Sequence, residues 1–485
     1  MAISKLSLMD EEFKTAFLSG KFVVDCVEIK LTQNGTATPI VYASSGYLHV
    51  TPENGIEARL ICLRDDVQPP SIQSLLARIG DLSPGKFIPD SHYFKLEATD
   101  VAGNLWVNPV VGVKATESTK ATTLTVLCDF IACNPRVPEG GSVAAGPVPA
   151  WAHMVFLEEL DFPLNVVERR DTSVLGRPSI KVAPTLSTGA VGDLKVTYEN
   201  RAVTPETRHA ELSAVANKKA EVPKGFQDKL LEAVRFATAT MVSCVMLETM
   251  HGGTRTLELF KARPSNKGLI QPPLNPRSSG EAEAFFNLLD RYYRYACSAA
   301  TGDELAPITK RIAGLYSLKD VWIDTTALMV SVAVEAVASD SAFAKLATPS
   351  QATKDGVDTI FEAIRKSGAD TTLIERAISS MGTMKSSRAV DKLFALEAMG
   401  VLAASEPTNW KGLRNPIAHG SLRIDPKALQ DLLDNIYGSM TMLYKLVFIL
   451  IGYDGPYSDY SQHGWHIKTF DASAFAGKLG PAAKT

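Results

Sequence analysis

Cysteine is scarce in this 485-residue chain, net charge is small and long apolar runs are missing, and each absence closes off a class of function. The six cysteines (Cys26, Cys62, Cys128, Cys133, Cys244, Cys297) are scattered, mostly inside apolar runs, as reduced core thiols are and a disulfide framework is not. Cys128 and Cys133 are too widely spaced for a usual zinc knuckle, and His463-x-x-His466 comes without carboxylates, so no metal or other cofactor is expected. A formal charge of −3 rules out a whole-chain polycation; any nucleic-acid contact must come from a local basic surface. Reduced cysteines make the cytoplasm the expected compartment, and Met1 to Lys14, with Asp10, Glu11 and Glu12, lacks the basic start and apolar run of a secretory signal. Met440 to Ile451 is interrupted by Lys445 and is too short for a bilayer core of about 30 Å, so no membrane association is expected.

Familiar catalytic signatures are missing as well. There is no Gly-x-Ser-x-Gly elbow, no His-Glu-x-x-His and no dinucleotide fingerprint. Gly80 to Lys86 has the spacing of a phosphate-binding loop, but Phe87 stands where a magnesium-ligating hydroxyl belongs. Ser71 to Ile79 before it reads as helix, and Phe87-Ile88-Pro89 cannot open the helix whose amides would cradle phosphate.

With 45% apolar residues the chain can bury sizeable cores, and its length suggests two to four domains. From Lys21 to about Asn200 apolar residues alternate in runs such as Phe22 to Ile29, Ile56 to Leu63 and Thr123 to Cys128, separated by proline, glycine and Asn-Gly turns. Regular spacing with alternating faces favours a sandwich or barrel-like sheet. Around Pro223 the period changes to 3.6: Leu230, Leu231, Val234, Ala237, Met241, Val242 and Val245 form a stripe that Gly252-Gly253 would close. Pro264 to Gly280 reads as a linker. Helical spacing then predicts helices over Glu281 to Ala299, Glu304 to Tyr316, Leu318 to Ser339, Lys354 to Ser379, Ser386 to Ala404 and Pro426 to Tyr453. The expected class is α+β and multidomain: a β-rich domain over 1–215, a helix and linker over 216–280, an all-α bundle over 281–470, and a tail from 471 to 485.

The chemistry that stands out is Arg414-Asn415-Pro416-Ile417-Ala418-His419. Arginine offers a permanently charged fork matched to phosphate oxygens, and histidine can take or give a proton near neutrality. Together they can cleave RNA without a metal. The ribose 2′-hydroxyl attacks, His419 acts as general base or acid, and Arg414 neutralises charge on the pentacoordinate phosphorus. The bare spacing carries little, because 21 arginines and 8 histidines predict about one chance match. Asn415 is also a good N-cap, Pro416 suits a first helical position and Gly420 could end the turn. On one regular helix Arg414 and His419 would diverge by about 140°. A helix beginning at Pro416 would leave Arg414 outside it and free to turn; the alternative is convergence across a symmetric dimer.

The wording around the spacing is more specific. Leu413-Arg414-Asn415-Pro416-Ile417-Ala418-His419-Gly420 resembles the signature of the HEPN superfamily of helical ribonucleases, and it lies between two helical segments as in those domains. Ser45 to Glu57 is similar to the opening hairpin of the N-terminal domain of ApeA-type proteins, bacterial phage-defence factors that join such a domain to a C-terminal HEPN domain. The resemblance implies an endoribonuclease of an abortive-infection system acting on RNA, tRNA among the candidates. It also implies a homodimer or higher homo-oligomer whose cleft is shared between protomers, and an N-terminal half responding to a phage-derived trigger. Asn415 would orient substrate or a catalytic side chain. Where related toxins carry a modifiable tyrosine this chain has Ser421, which speaks against control by tyrosine adenylylation. The competing reading is a non-catalytic helical scaffold or RNA-binding module that keeps the capped turn for packing.

Two carboxylates and a basic rim complete the candidate site. Glu335 interrupts the apolar run Leu328 to Ala338, and a carboxylate in a buried helix needs a partner, either Arg414 or some other cation. Asp324 lies three turns earlier on the same face. Lys385, Arg388, Lys392, Lys411 and Arg423 surround the motif, and Thr383 to Lys427 holds seven basic residues against four acidic ones, a rim able to attract RNA phosphates.

Overall fold

A computed structural model describes residues 9–51, 55–63, 87–117, 121–135, 149–167, 170–174, 177–181, 184–202, 208–217, 221–261, 269–275, 281–300, 304–318, 321–418 and 426–472. The chain is α+β and divides into two compact units: Met1–Leu160, Leu164–Gln227 and Val242–Ser265 form the first, and Asp161–Pro163, Asp228–Met241 and Asn266–Thr485 the second.

A short helix, α1 (Glu11–Leu18), precedes six strands: β1 (Val23–Gln33), β2 (Val41–Val50), β3 (Ile56–Leu63), β4 (Phe94–Asp100), β5 (Leu105–Glu117) and β6 (Ala121–Cys128). They pair antiparallel in the order 4-1-2-3-6-5, and β4 also pairs with β5, closing a barrel. Alternation produces this directly. Every second residue of β4 and β6 is buried, and Ile29, Leu31, Leu48, Ile56, Ala58, Leu60, Leu96, Leu124 and Val126 are sealed inside. A bulge in β1 between Cys26 and Ile29 bends the strand as closure requires. Gly46 allows the closest approach: a Cβ there would stand 2.1 Å from the Arg59 carbonyl oxygen on β3.

The sheet then leaves the barrel. It runs from β5 through β7 (Phe130–Asn134), with β8 (Trp151–Phe156), β9 (Val166–Val167), β12 (Pro184–Val191), β13 (Leu194–Ala202), β14 (Arg208–Ala216), β15 (Cys244–His251) and β16 (Thr254–Phe260), in the order 7-16-15-8-14-13-12-9. β10 (Arg170–Val174) and β11 (Arg177–Lys181) form a separate hairpin. Beneath β14 lies a buried charge cluster. The Glu211 carboxylate is 3.0 Å from Nε2 of both His153 and His209 and accepts from Lys14 of α1 at 2.7 Å. Burial raises the pKa of Glu211, but the hydrogen bonds from the two histidines and Lys14 outweigh it and hold the group well below the usual carboxylate range.

Two expectations from the apolar pattern give way here. The helix after Pro223 is only α2 (Phe226–Thr238); Ala239 turns at φ 49°, and Met241, Val242 and Val245 lie beyond the helix, Val245 in β15. Gly252 and Gly253, at φ 58° and 80°, form the two-residue turn of the β15–β16 hairpin, a conformation that two glycines adopt without steric cost. The expected linker is also packed over residues 269–275: Ile270 and Leu274 are buried, and the carbonyls of Pro272 and Pro273 accept from Tyr460 Oη and the Ser458 amide.

The second unit is helical: α3 (Ala282–Ala299), α4 (Pro307–Tyr316), α5 (Ile323–Ala338), α6 (Gln351–Arg365), α7 (Thr371–Gly382), α8 (Ala389–Ala398), α9 (Ser405–Ala418) and α10 (Pro426–Ile451), then a hairpin of β17 (Asp454–Ser458) and β18 (Ile467–Asp471). The stretch expected as one helix over Lys354 to Ser379 is two, broken at Gly368 (φ 69°), with Asp370 capping α7 through the Thr372 amide. At the centre is α10, whose Met440, Met442, Leu443, Leu446, Val447 and Phe448 are at most 1% exposed, each worth about 1.5–3 kcal/mol of burial. No helix among the described residues is long and apolar enough to cross a membrane. Cys26, Cys62, Cys128 and Cys133 are buried free thiols, and burial pushes Cys26, Cys128 and Cys133 up to about 12.

Candidate functional site

Helix α9 carries the motif and begins where no helix was expected. Its first turn holds Glu406 and Pro407; a proline so early costs no intrahelical bond. Glu406 is 1% exposed and accepts from Lys445 of α10 at 2.6 Å, which ties the start of α9 to the central helix. Burial pushes the Glu406 carboxyl up against the opposing pull of Lys445. One turn later Trp410, 2% exposed, donates through Nε1 to the Ser331 carbonyl of α5 at 3.1 Å. Leu413 follows on the same buried face.

This register places Arg414. At about 100° per residue it lies 40° from Trp410, at the rim of the buried face. Its guanidinium sits 5.8 Å from the Trp410 ring centre and donates from Nε and Nη2 to Glu335 at 3.0 and 3.3 Å. Trp410 with Ser331 and Arg414 with Glu335 are thus two rungs, four residues apart on each helix, between α5 and α9 running side by side in the same direction. Glu335 is not deeply buried as expected; its side chain is 43% exposed and that of Arg414 44%, so the pair is a positioned one at an open edge.

The helix runs on through Asn415 and Pro416 to Ala418, so Arg414 lies inside α9 and not before a new helix. Pro416, far from opening a helix, stands in the last turns and leaves the Gly412 carbonyl without its usual amide partner. His419, Gly420, Ser421 and Arg423 lie outside the described residues, as do Gly80 to Lys86 and Pro52 to Asn54.

The remaining candidates scatter. Asp324 is in the first turn of α5, eleven residues and about 16 Å of helix from Glu335, with its Oδ1 buried and unbonded among the described residues. Lys392, expected on an RNA-binding rim, is 7% exposed and donates to the Ala338 carbonyl at 3.1 Å, capping the end of α5. Lys385 pairs with Asp358 of α6 and lies over the Phe361 ring. His463 and His466 are exposed, and no group of three or more potential metal ligands occurs among the described residues.

Arg388 and Lys411 do converge with the motif. With Glu335, Trp410 and Arg414, and with Ala389 and Val390 at the start of α8, they line a cavity of about 260 Å³. No protein-family profile, curated protein or solved structure matches this chain. The site therefore stands on its own chemistry: an arginine held by a carboxylate against an indole, at the edge of a cavity with two further cations. Trp410, and Asp391, which holds Arg388, were not singled out in the sequence. The available signal was the i, i+4 spacing of Trp410 and Arg414.

Proposed function

We propose that the chain is a metal-independent endoribonuclease of the HEPN type, with Arg414 and His419 as its catalytic pair. The observation that supports this reading most is the Arg414 guanidinium, fixed by Glu335 and Trp410 at the mouth of a cation-lined cavity, five residues before a histidine. In the proposed step the 2′-oxygen bonds to phosphorus as its proton passes to a general base, and the bond to the 5′-oxygen breaks as that oxygen gains a proton. The products are a 2′,3′-cyclic phosphate and a 5′-hydroxyl. Arg414 stabilises the additional phosphoryl charge. Asn415 orients substrate or a catalytic side chain, and Glu335 holds the fork in place.

Side chains five positions apart on one regular helix, the spacing of Arg414 and His419, diverge by about 140°. This favours a cleft assembled from two copies. Leu328 and Val332 of α5, exposed to 44 and 51%, lie one turn apart on a face that leads on to Glu335 and is suited to a second protomer. The role in phage defence, with the β-rich unit responding to an infection signal, rests on the resemblance of Ser45 to Glu57 and of the motif. Incubation with total RNA in the presence of chelator is expected to yield cyclic-phosphate and 5′-hydroxyl ends. Equal cleavage by His419→Ala would exclude the assignment. RNA binding without cleavage, unchanged by His419→Ala, would favour the non-catalytic module, which the regular helix through Arg414 also accommodates.

A further inference from the structure

Two arginines line the cavity, and each is paired with a carboxylate, Arg414 across to another helix and Arg388 within its own first turn. Arg414 donates from Nε and Nη2 to Glu335; Arg388 donates from Nε and Nη2 to Asp391 at 2.9 Å each. The hydrogen bond from Arg388 keeps the Asp391 carboxyl below its usual range. In each guanidinium one edge is bound to a carboxylate, and among the described residues Nη1 has no acceptor. Each orienting carboxylate is supplied by the protein itself, which lowers the ordering cost of the forks when a ligand arrives, more for Arg414 than for the 60% exposed Arg388. Lys411, exposed and on the turn of α9 that also bears Arg414, has no carboxylate partner among the described residues. Three cations thus line one cavity whose single lining carboxylate, Glu335, is engaged with Arg414.

A single scissile phosphate needs only one such fork. The second arginine and the lysine, on α8 and on α9, suit a second phosphate of the same strand, because successive phosphates of a single strand are separated by a nucleotide and a bidentate or forked donor set matches each. We infer that Arg388 and Lys411 form a phosphate subsite for the phosphodiester next to the scissile one, so that the substrate is single-stranded RNA of at least three nucleotides. This inference rests on the nuclease reading of Arg414 and adds to it a minimum substrate length.

The test compares a dinucleoside monophosphate with trinucleoside diphosphates that extend it on the 5′ or the 3′ side. One extension is expected to raise kcat/KM by at least about tenfold, and Lys411→Gln combined with Arg388→Gln should bring that ratio towards one. Arg388→Lys keeps the charge but loses the fork and should recover part of the ratio. A binding arm with non-cleavable 2′-O-methyl oligonucleotides of both lengths separates the two claims. Loss of each cation should reduce the slope of log affinity against log salt by about 0.7 for the longer strand. If the longer strand binds better through Arg388 and Lys411 but unmodified RNA is not cut, the nuclease reading fails and the subsite stands. Equal binding and equal cleavage of both lengths, or a length advantage that survives both substitutions, overturns the subsite.

Discussion

The pair Glu406–Lys445 decides whether helix α9 holds the motif where it is. Glu406 is 1% exposed and the Lys445 side chain 9%, with 2.6 Å between their charged atoms, and Glu406 also accepts from the Ala403 amide at 2.8 Å. Glu406→Leu leaves a buried ammonium without a carboxylate and should cost about 3–5 kcal/mol, in the range of other broken buried pairs. Lys445→Met strands the carboxylate and should cost nearly as much. The double substitution removes both charges from a site walled by α9 and α10, so it should lose far less than the sum, with a coupling of at least about 2 kcal/mol. Urea unfolding of the four proteins, followed by far-UV circular dichroism together with hydrogen exchange of the α9 amides, provides the cycle. The exchange measurement matters because two compact units need not unfold together. Additive losses, or a single substitution costing below about 1 kcal/mol, would show that the pair is a by-product of packing and that α9 is positioned by Trp410 and Leu413.

Two further outcomes concern the β-rich unit. Because the pKa of Glu211 is lower folded than unfolded, its contribution to stability is present above the unfolded carboxylate value of about 4.3 and is lost as pH falls below it through the folded value; Glu211→Gln should flatten the acid limb of the unfolding profile, and an unchanged limb would refute the assignment. Gly46→Ala should destabilise the barrel by about 1–3 kcal/mol because the new methyl meets the Arg59 carbonyl, whereas Gly112→Ala on β5 meets nothing within 4 Å and should be near neutral; thermal melts of both variants check the contrast.

What could be read from the residues followed burial. Strands β4 and β6 alternate so strictly that period and burial coincide, and the long stripe of α10 marks a core helix in the same way. Helix α9 escaped because its run Ser405 to Ala418 has few large apolar side chains and two prolines: of the residues it buries, one is the carboxylate of Glu406, and its position depends on Lys445 and Ser331, 39 and 79 residues away. The segment Met241 to Leu247 is apolar except for Ser243, a pattern shared by buried helices and central strands, and the Gly252-Gly253 pair marks a hairpin turn as well as a helix end. Within the site, Arg414 and its carboxylate partner were legible as an unmatched pair of charges. The separation of Lys392 and Lys385 from Arg388 and Lys411 was not, since all four are simply basic residues at helical spacing until the packing of α5, α6 and α8 divides them.

The rate of RNA cleavage in a single turnover, with chelator present, tests the catalytic claim most directly. Wild-type protein should cut a single-stranded RNA to cyclic-phosphate ends, with Arg414→Ala and His419→Ala each slower by about 10²–10⁴-fold. Cleavage that persists at the wild-type rate in both variants, or that requires an added divalent metal, would contradict it.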